Sequence, residues 1–340
     1  MRHWLVFSLA TLGTAPLLAF ATGQDATPSQ SDVPIIPELS VIQPFEIDRT
    51  DRMTVPVRIN NSEPVDFIVD TGAERTVISG DLAQRLALEA GPELRLATIS
   101  GPTTAPSFYI EELTLKSHKV EGIEAPALER SNLGGNGLLG IDSLEDSKVF
   151  LDFRTQHLEV LPSTRRPGKL EQGMIVVSAK KRAGRMILSS AEVDGIKVDI
   201  ILDTGAQASM GNFALRDRLR KRHLRFDYMP VKMKSVTGKE LHGDFSQIRE
   251  IRIGNFNVTN LPVTFTQNYA FEALSLNDRP AILFGMDALK LFDRVVIDFG
   301  SRRVAFDLPR IEPYGGKTKK GLADTYPLTL IKCGGVDGAR

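Results

Sequence analysis

The chain has 340 residues, with 42 Lys+Arg balanced by 42 Asp+Glu and hence no net charge; 42% of its residues are hydrophobic and 25% charged. Neutrality argues against nucleic acid as a partner, and the average globular composition excludes collagen, wholesale disorder and a membrane bundle. The single cysteine, Cys333, excludes an intramolecular disulfide framework.

Residues 1–21 read as an export leader. Arg2 precedes an apolar run from Trp4 to Phe20, and Ala19-Phe20-Ala21 has the small-x-small pattern of a cleavage site. The expected destination is the periplasm or the exterior, and an uncleaved leader would be the one membrane anchor. Residues 22–45, rich in Pro, Ser and Thr, read as a flexible linker or pro-segment, with order expected from about Phe45. Beyond it come β-branched runs and turn residues: Met53 to Ile59, the Asn60-Asn61 turn, then Val65 to Val69. The same phrase returns as Met174 to Ser178, Met186 to Val193, the Asp194-Gly195 turn and Ile196 to Leu202.

Three landmarks show an internal repeat. Asp70-Thr71-Gly72-Ala73 recurs as Asp203-Thr204-Gly205-Ala206, an offset of 203 − 70 = 133. Gly137-Leu138-Leu139-Gly140-Ile141-Asp142 recurs as Ile282-Leu283-Phe284-Gly285-Met286-Asp287, an offset of 285 − 140 = 145. Leu151-Asp152-Phe153 recurs as Ile297-Asp298-Phe299, an offset of 298 − 152 = 146. The second copy therefore carries an insertion, placed most simply within Gln267 to Ala281. Each copy reads as strands, a DTGA turn, a short helix (Gly80 to Leu88; Asn212 to Arg225), more β structure, a glycine turn and a closing strand pair. The expected divisions are a lobe over 46–162, a connector over 163–172 containing Pro167-Gly168, a second lobe over 173–312 and a tail over 313–340.

An apolar strand delivers each DTGA aspartate to its end, and the glycine lets the chain turn there. A pseudo-twofold would bring Asp70 and Asp203 together, where two like charges in a partly dry site share one proton. Such a pair can activate water against an amide carbonyl and protonate the leaving nitrogen. The two DTGA turns, each followed by an apolar-apolar-Gly turn (Leu138-Leu139-Gly140; Leu283-Phe284-Gly285), resemble the retropepsin-like aspartic peptidases. The resemblance implies an all-β, bilobal acid-protease fold of two retropepsin-like β-barrel repeats, each with a short helix. It implies catalytic roles for Asp70 and Asp203 and a loop interlock through Thr71 and Thr204. The remaining loop residues are Gly72, Ala73, Gly205 and Ala206, supported by the glycine turns at Leu139, Gly140, Phe284 and Gly285. Retropepsins usually supply one DTG per subunit and dimerise; here both lie in one chain, so a monomer is expected.

Ala73 and Ala206 carry no hydroxyl that could favour a charged carboxylate, so a milder pH range is expected than for DTGS or DTGT enzymes. Candidate flap hairpins lie at Met233 to Leu241, with Gly238 near the tip, and less regularly at Ala97 to Ser107, with Gly101. Phe108 or Tyr109 is weighed as a substrate contact against a core position.

Other acid pairs read as structural: Asp142/Asp287 as helix caps and Asp152/Asp298 as turn-bonded positions. The basic run Arg216 to Arg225, with Leu215, Leu219 and Leu224 at near-helical spacing, reads as a solvated helix face. His3, His118, His157, His223 and His242 show no metal-ligand spacing, and no GxSxG or P-loop occurs. No metal or cofactor is expected. The expected substrate is an extended peptide or unfolded protein segment, bound as a strand. The rival readings are a peptide-binding module without turnover, a glycosidase-like pair of acids set further apart, and a dyad shared between two chains.

Overall fold

The computed structural model describes residues 41–44, 46–47, 52–116, 118–145, 147–163, 171–182, 184–222, 227–309 and 329–332. The leader, Pro167-Gly168, His3, His223, Leu224, Cys333 and most of the tail lie outside the described residues.

The first copy opens with β1 (Val41–Pro44) and β2 (Glu46–Ile47), followed by β3 (Met53–Ile59), β4 (Val65–Val69), β5 (Val77–Ser79) and helix α1 (Gly80–Arg85). Then come β6 (Ala90–Thr98), β7 (Gly101–Leu115), β8 (His118–Leu128), α2 (Arg130–Leu133), β9 (Gly137–Leu139), a 3-10 turn (Ile141–Ser143), β10 (Ser147–Asp152) and β11 (His157–Pro162). The second copy runs β12 (Ile175–Ser178), β13 (Lys180–Arg182), β14 (Arg185–Val193), β15 (Ile196–Leu202), β16 (Met210–Gly211) and α3 (Phe213–Arg222). It continues through β17 (Met229–Lys234), β18 (Glu240–Ile253), β19 (Phe256–Thr266), α4 (Tyr269–Ala273), β20 (Ala281–Phe284), α5 (Met286–Leu289), β21 (Arg294–Asp298) and β22 (Arg303–Asp307). A last strand, β23 (Thr329–Lys332), pairs with β19.

The fold is bilobal and all-β. Lobe one is a sheet in the order β2-β3-β4-β9-β5-β8-β7-β6, and lobe two repeats it as β13-β14-β15-β20-β16-β19-β18-β17. The alternating apolar residues of β3 are buried, from Met53 through Val55 and Val57 to Ile59, as a half-buried strand requires. The first hairpin of each lobe turns through two left-handed residues, Asn60 and Asn61 in one and Asp194 and Gly195 in the other. These residues tolerate positive φ, and the resulting turn matches the twist of the strands.

A third sheet, β1-β11-β10-β21-β22-β12, joins the lobes. At its centre Phe150 pairs with Val296, residues separated by the repeat offset of 146 (296 − 150). A residue can face its own repeat-mate only at the twofold axis, so the axis passes through this pair.

Three expectations need correction. The linker assigned to 22–45 contains β1, which pairs along β11. The tail contains β23, bonded to lobe two. The extra length of the second copy is divided. The offset has already reached 138 at the ends of β18 (253 − 115) and β19 (266 − 128), after a helix of ten residues in place of six. Only the later increase, from 138 to 145, falls around α4.

Of the basic run, Leu215 and Leu219 are buried while Arg218, Arg220, Lys221 and Arg222 face solvent, a solvated helix face as expected. No helix among the described residues is long and apolar enough to cross a membrane.

The interlobe sheet also carries a buried ion pair, Lys148 on β10 with Glu171, both side chains 5% exposed. Removing one partner strands a charge away from water, whereas removing both does not. Glu171→Ala should lower unfolding free energy by about 3–5 kcal/mol in urea titrations, and the double variant Lys148→Met/Glu171→Leu should stay much closer to wild type.

Candidate active site

Each DTG loop is fixed by its own lobe. β4 runs parallel to β9, opposing Val69 to Leu139, and β15 runs parallel to β20, opposing Leu202 to Phe284. The amide of Asp70 then donates to the Leu139 carbonyl at 3.0 Å, and that of Asp203 to the Phe284 carbonyl at 3.1 Å. The glycine turns press on the same loops. A Cβ on Gly140 would lie 2.3 Å from the Arg75 carbonyl carbon, and one on Gly285 2.8 Å from that of Ala208, so no side chain fits at either position.

The loops also complete one another. Thr204 Oγ1 donates to the Val69 carbonyl at 2.7 Å and accepts from the Thr71 amide at 3.0 Å. Thr71 Oγ1 donates to the Leu202 carbonyl at 3.1 Å and accepts from the Thr204 amide at 3.2 Å. Both threonines are buried, with 2% exposure or less.

This interlock sets the aspartates face to face. A Cβ on Gly72 would lie 2.4 Å from Asp203 Cγ, and one on Gly205 2.3 Å from Asp70 Cγ. Each glycine's Cα therefore abuts the opposite carboxylate, an approach only glycine allows. Asp70 Oδ1 accepts from the amides of Gly72 (2.8 Å) and Ala73 (2.9 Å), and Asp203 Oδ1 from those of Gly205 (2.9 Å) and Ala206 (3.1 Å). Burial raises both carboxyls above the ordinary range. The Asp70 charge adds to burial at Asp203 and pushes it up to about 8, against the opposing charge of Arg185. At Asp70 the loop amides, Arg185 and a hydrogen bond with Asp203 oppose the effect of burial. Two like charges this close favour a shared proton over a doubly ionised pair.

A family model described as aspartyl protease matches residues 55–143 and again 189–288, together more than half of the chain. The chain belongs to the aspartyl protease family. Each match spans one DTG loop with its glycine turn, the two-repeat pattern of a retropepsin-like aspartyl protease. No curated protein matches the chain.

The other sequence candidates separate. Asp142 and Asp287 stand in the first turn and not at the N-cap positions, which fall on Gly140 and Gly285, yet each accepts one first-turn amide, that of Ser143 and of Ala288, at 2.8 Å. Asp142 also accepts from the amide (2.9 Å) and hydroxyl (2.7 Å) of Thr76, and Asp287 from the amide (3.0 Å) and hydroxyl (2.7 Å) of Ser209. The Thr76 and Ser209 hydroxyls in turn receive the Gly140 and Gly285 amides, so each carboxylate ties a glycine turn to its DTG arm. Asp152 and Asp298 are turn-bonded, accepting from the amides of Thr155 and Ser301 respectively. Phe108, opposite Ala90 and Ala125, packs on the core at the base of its hairpin, and Tyr109 beside it is 42% exposed; neither is placed near the aspartates. His118 Nε2 lies 3.0 Å from the Ser143 carbonyl, and no group among the described residues could hold a metal ion.

Both flap segments are hairpins. The first is the less regular of the two, as its prolines suggest: β6 and β7 pair from Thr98 opposite Gly101 down to Ala90 opposite Phe108 with a register shift between Gly91 and Leu94, whereas β17 and β18 pair without a break from Lys234 opposite Glu240 to Met229 opposite Phe245. Gly101 (φ +113°) and Gly238 (φ +80°) turn the two tips. The tips meet through Ser100 Oγ and Thr237 Oγ1 at 3.0 Å, a contact the sequence did not flag. Each also reaches the opposite lobe. Tyr269 on α4 donates its amide to the Ile99 carbonyl, and Val236 packs on Ile68, Val77, Leu133 and Leu138.

The interlock gives a stability test. Thr204→Ala strands the Val69 carbonyl and the Thr71 amide, each costing about 1–3 kcal/mol when buried and unpaired. Urea unfolding should show a loss of about 2–4 kcal/mol, most of it recovered in Thr204→Ser.

Proposed function

We propose that the protein is an aspartic endopeptidase that hydrolyses peptide bonds with a water activated between Asp70 and Asp203. The observation that carries this reading is the mutual approach of the two carboxylates, each against the other loop's glycine. In this reading Asp203, whose carboxyl burial and the Asp70 charge push up to about 8, carries the shared proton in the resting site, and Asp70 is the base. Asp70 takes a proton from the water as its oxygen attacks the scissile carbonyl. Asp203 gives its proton to the carbonyl oxygen. The Asp70 proton then passes to the leaving nitrogen as the C–N bond breaks, Asp203 takes back a proton from one hydroxyl of the collapsing gem-diol, and the pair returns to its single-proton state. This proximity does not suit the glycosidase reading, which needs acids about 5 Å or more apart flanking a sugar.

The substrate we infer is an extended peptide or unfolded protein segment. The long hairpins β6–β7 and β17–β18 offer strand backbone to such a chain, and their joined tips must part or close over it. With both DTG loops in one chain, one polypeptide supplies the whole site, and we infer a monomeric enzyme. The leader argues for action in the periplasm or outside the cell.

Activity requires one proton on the pair. Raising the pH through about 8 removes it from Asp203, and lowering the pH protonates Asp70 as well, so the pH–rate profile should be bell-shaped with its maximum near neutrality. Quenched fluorescent peptides, assayed from about pH 3 to 9, read both limbs. Asp70→Asn and Asp203→Asn should each lower kcat by about 10³-fold. A maximum below about pH 3, where a free Asp is mostly protonated, would refute the mild-pH reading. Undiminished cleavage in either variant would refute the shared dyad. A wild type that binds peptides but cleaves none would identify a binding module instead.

A further inference from the structure

The two copies begin their first long strands alike, Arg52-Met53 and Arg185-Met186, again at an offset of 133 (185 − 52). The two arginines are placed differently. Arg52 sets its guanidinium against Gly134 at the end of α2. Arg185 leaves lobe two after a left-handed Gly184 (φ +75°), which packs beside Ile141 and Glu74 of lobe one. There its Nε donates to the Gly72 carbonyl at 2.7 Å.

That carbonyl belongs to the same peptide unit as the Ala73 N–H, which donates to Asp70 Oδ1 at 2.9 Å. A cation on the carbonyl end polarises the amide end, so the two hydrogen bonds strengthen each other. Gly72 also gives its own amide to Asp70 and sets its Cα against the Asp203 carboxylate. One residue thus fixes both aspartates, and Arg185 holds it from the other lobe. Among the described residues no cation is placed on the corresponding Gly205 carbonyl.

We propose that Arg185 is a positioning residue that locks the Gly72 peptide and, through it and its own charge, sets the pH range over which the Asp70–Asp203 pair holds one proton. This rests on the protease reading for its effect on rate, but its effect on the carboxyl groups does not. The charged groups placed around this crossing are the two aspartates, on which Arg185 acts, and Glu74, beside Gly184. On its own hairpin Lys181 is tied to Glu145, and Arg182 donates to the Leu274 carbonyl. The guanidinium acts on the pair as a cation and favours the ionised form of each carboxyl. Without it both carboxyls titrate at higher pH.

The test compares wild type, Arg185→Met and Arg185→Lys in two measurements. In the pH–rate profile, Arg185→Met should move both limbs upward by about one pH unit. Its kcat should fall about tenfold and KM change by less than about threefold. Arg185→Lys keeps the charge without the planar donor, so its limbs should stay near wild type while kcat still falls. The second measurement, a 13C NMR titration of the aspartate carboxyl carbons, needs no turnover. The pair's midpoints should rise in Arg185→Met and not in Arg185→Lys, with folding checked on the same spectra. Unmoved midpoints in a folded Arg185→Met would overturn the proposal, as would a change confined to KM, which marks a substrate contact. If wild type cleaves no peptide, the protease reading fails, and the carboxyl titration still decides for or against Arg185.

Discussion

Four hydrogen bonds that Thr71 and Thr204 make across the two loops hold the rest of the molecule to its symmetry. Each hydroxyl donates to the carbonyl of the residue before the other lobe's aspartate and accepts the other threonine's amide. Neither loop can satisfy these buried groups alone. Parting the lobes would leave two carbonyls and two amides without partners in a dry place, at about 1–3 kcal/mol each. The interlock therefore works as a clamp on geometry. The carboxylates hang from backbone fixed in three directions: by the parallel strand pair, by the glycine turn and by the opposite loop. Little of their position is left to side-chain rotation, as pre-organised chemistry requires.

The clamp creates an electrostatic problem that the surroundings only partly relieve. Bringing two carboxylates out of water costs several kcal/mol per ion, more than a pair of neutral hydrogen bonds returns. Two amides on each Oδ1 oppose that cost, and Arg185 opposes it further, yet burial remains the largest influence on both groups. The cheapest remaining relief is a proton. A second proton would weaken the two amide bonds of the carboxylate that took it, and the one-proton state is the one that the proposed water activation needs.

The sequence reveals this centre because its constraints are local. Asp-Thr-Gly-Ala at the end of an apolar strand is a short motif, and its recurrence at a fixed offset shows the repeat without knowledge of any contact. The glycine turns are legible for the same reason: Gly140 and Gly285 exclude a Cβ, and glycine is visible as a letter. What escapes is whatever depends on distant partners. Asp142 and Asp287 look like helix caps, and each does accept one first-turn amide, but their further partners, Thr76 and Ser209, lie 66 and 78 residues away. β1 has no periodic signal of its own and becomes a strand only because the edge of β11 is there to pair with. The prolines of the first flap suggest irregularity, and the register does shift around Pro92, between Gly91 and Leu94, while Pro102 sits beside the tip, where a missing donor does no harm. The paired Arg-Met signatures were readable at the offset of 133, but only the structure shows that one arginine crosses the lobe boundary.

Joining two copies in one chain has a physical consequence that a pair of identical subunits cannot share. A strict twofold would make the two aspartates equivalent, and their shared proton would have no preferred side. Here the copies have diverged where divergence does not disturb the clamp. The extra residues of the second copy fall in α3 and around α4, away from the DTG loops and from the Phe150–Val296 pair on the axis. The flap tips land on different supports, one on the Tyr269 amide and the other on the apolar cluster around Leu133. A cation bonds the Gly72 carbonyl, while among the described residues no corresponding cation is placed on the Gly205 carbonyl. The backbone frame is symmetric to within a few tenths of an ångström in its matched hydrogen bonds, and the electrostatic surroundings are not. That combination keeps the carboxylates in mutual register while making their surroundings unequal, as the proposed division into acid and base requires.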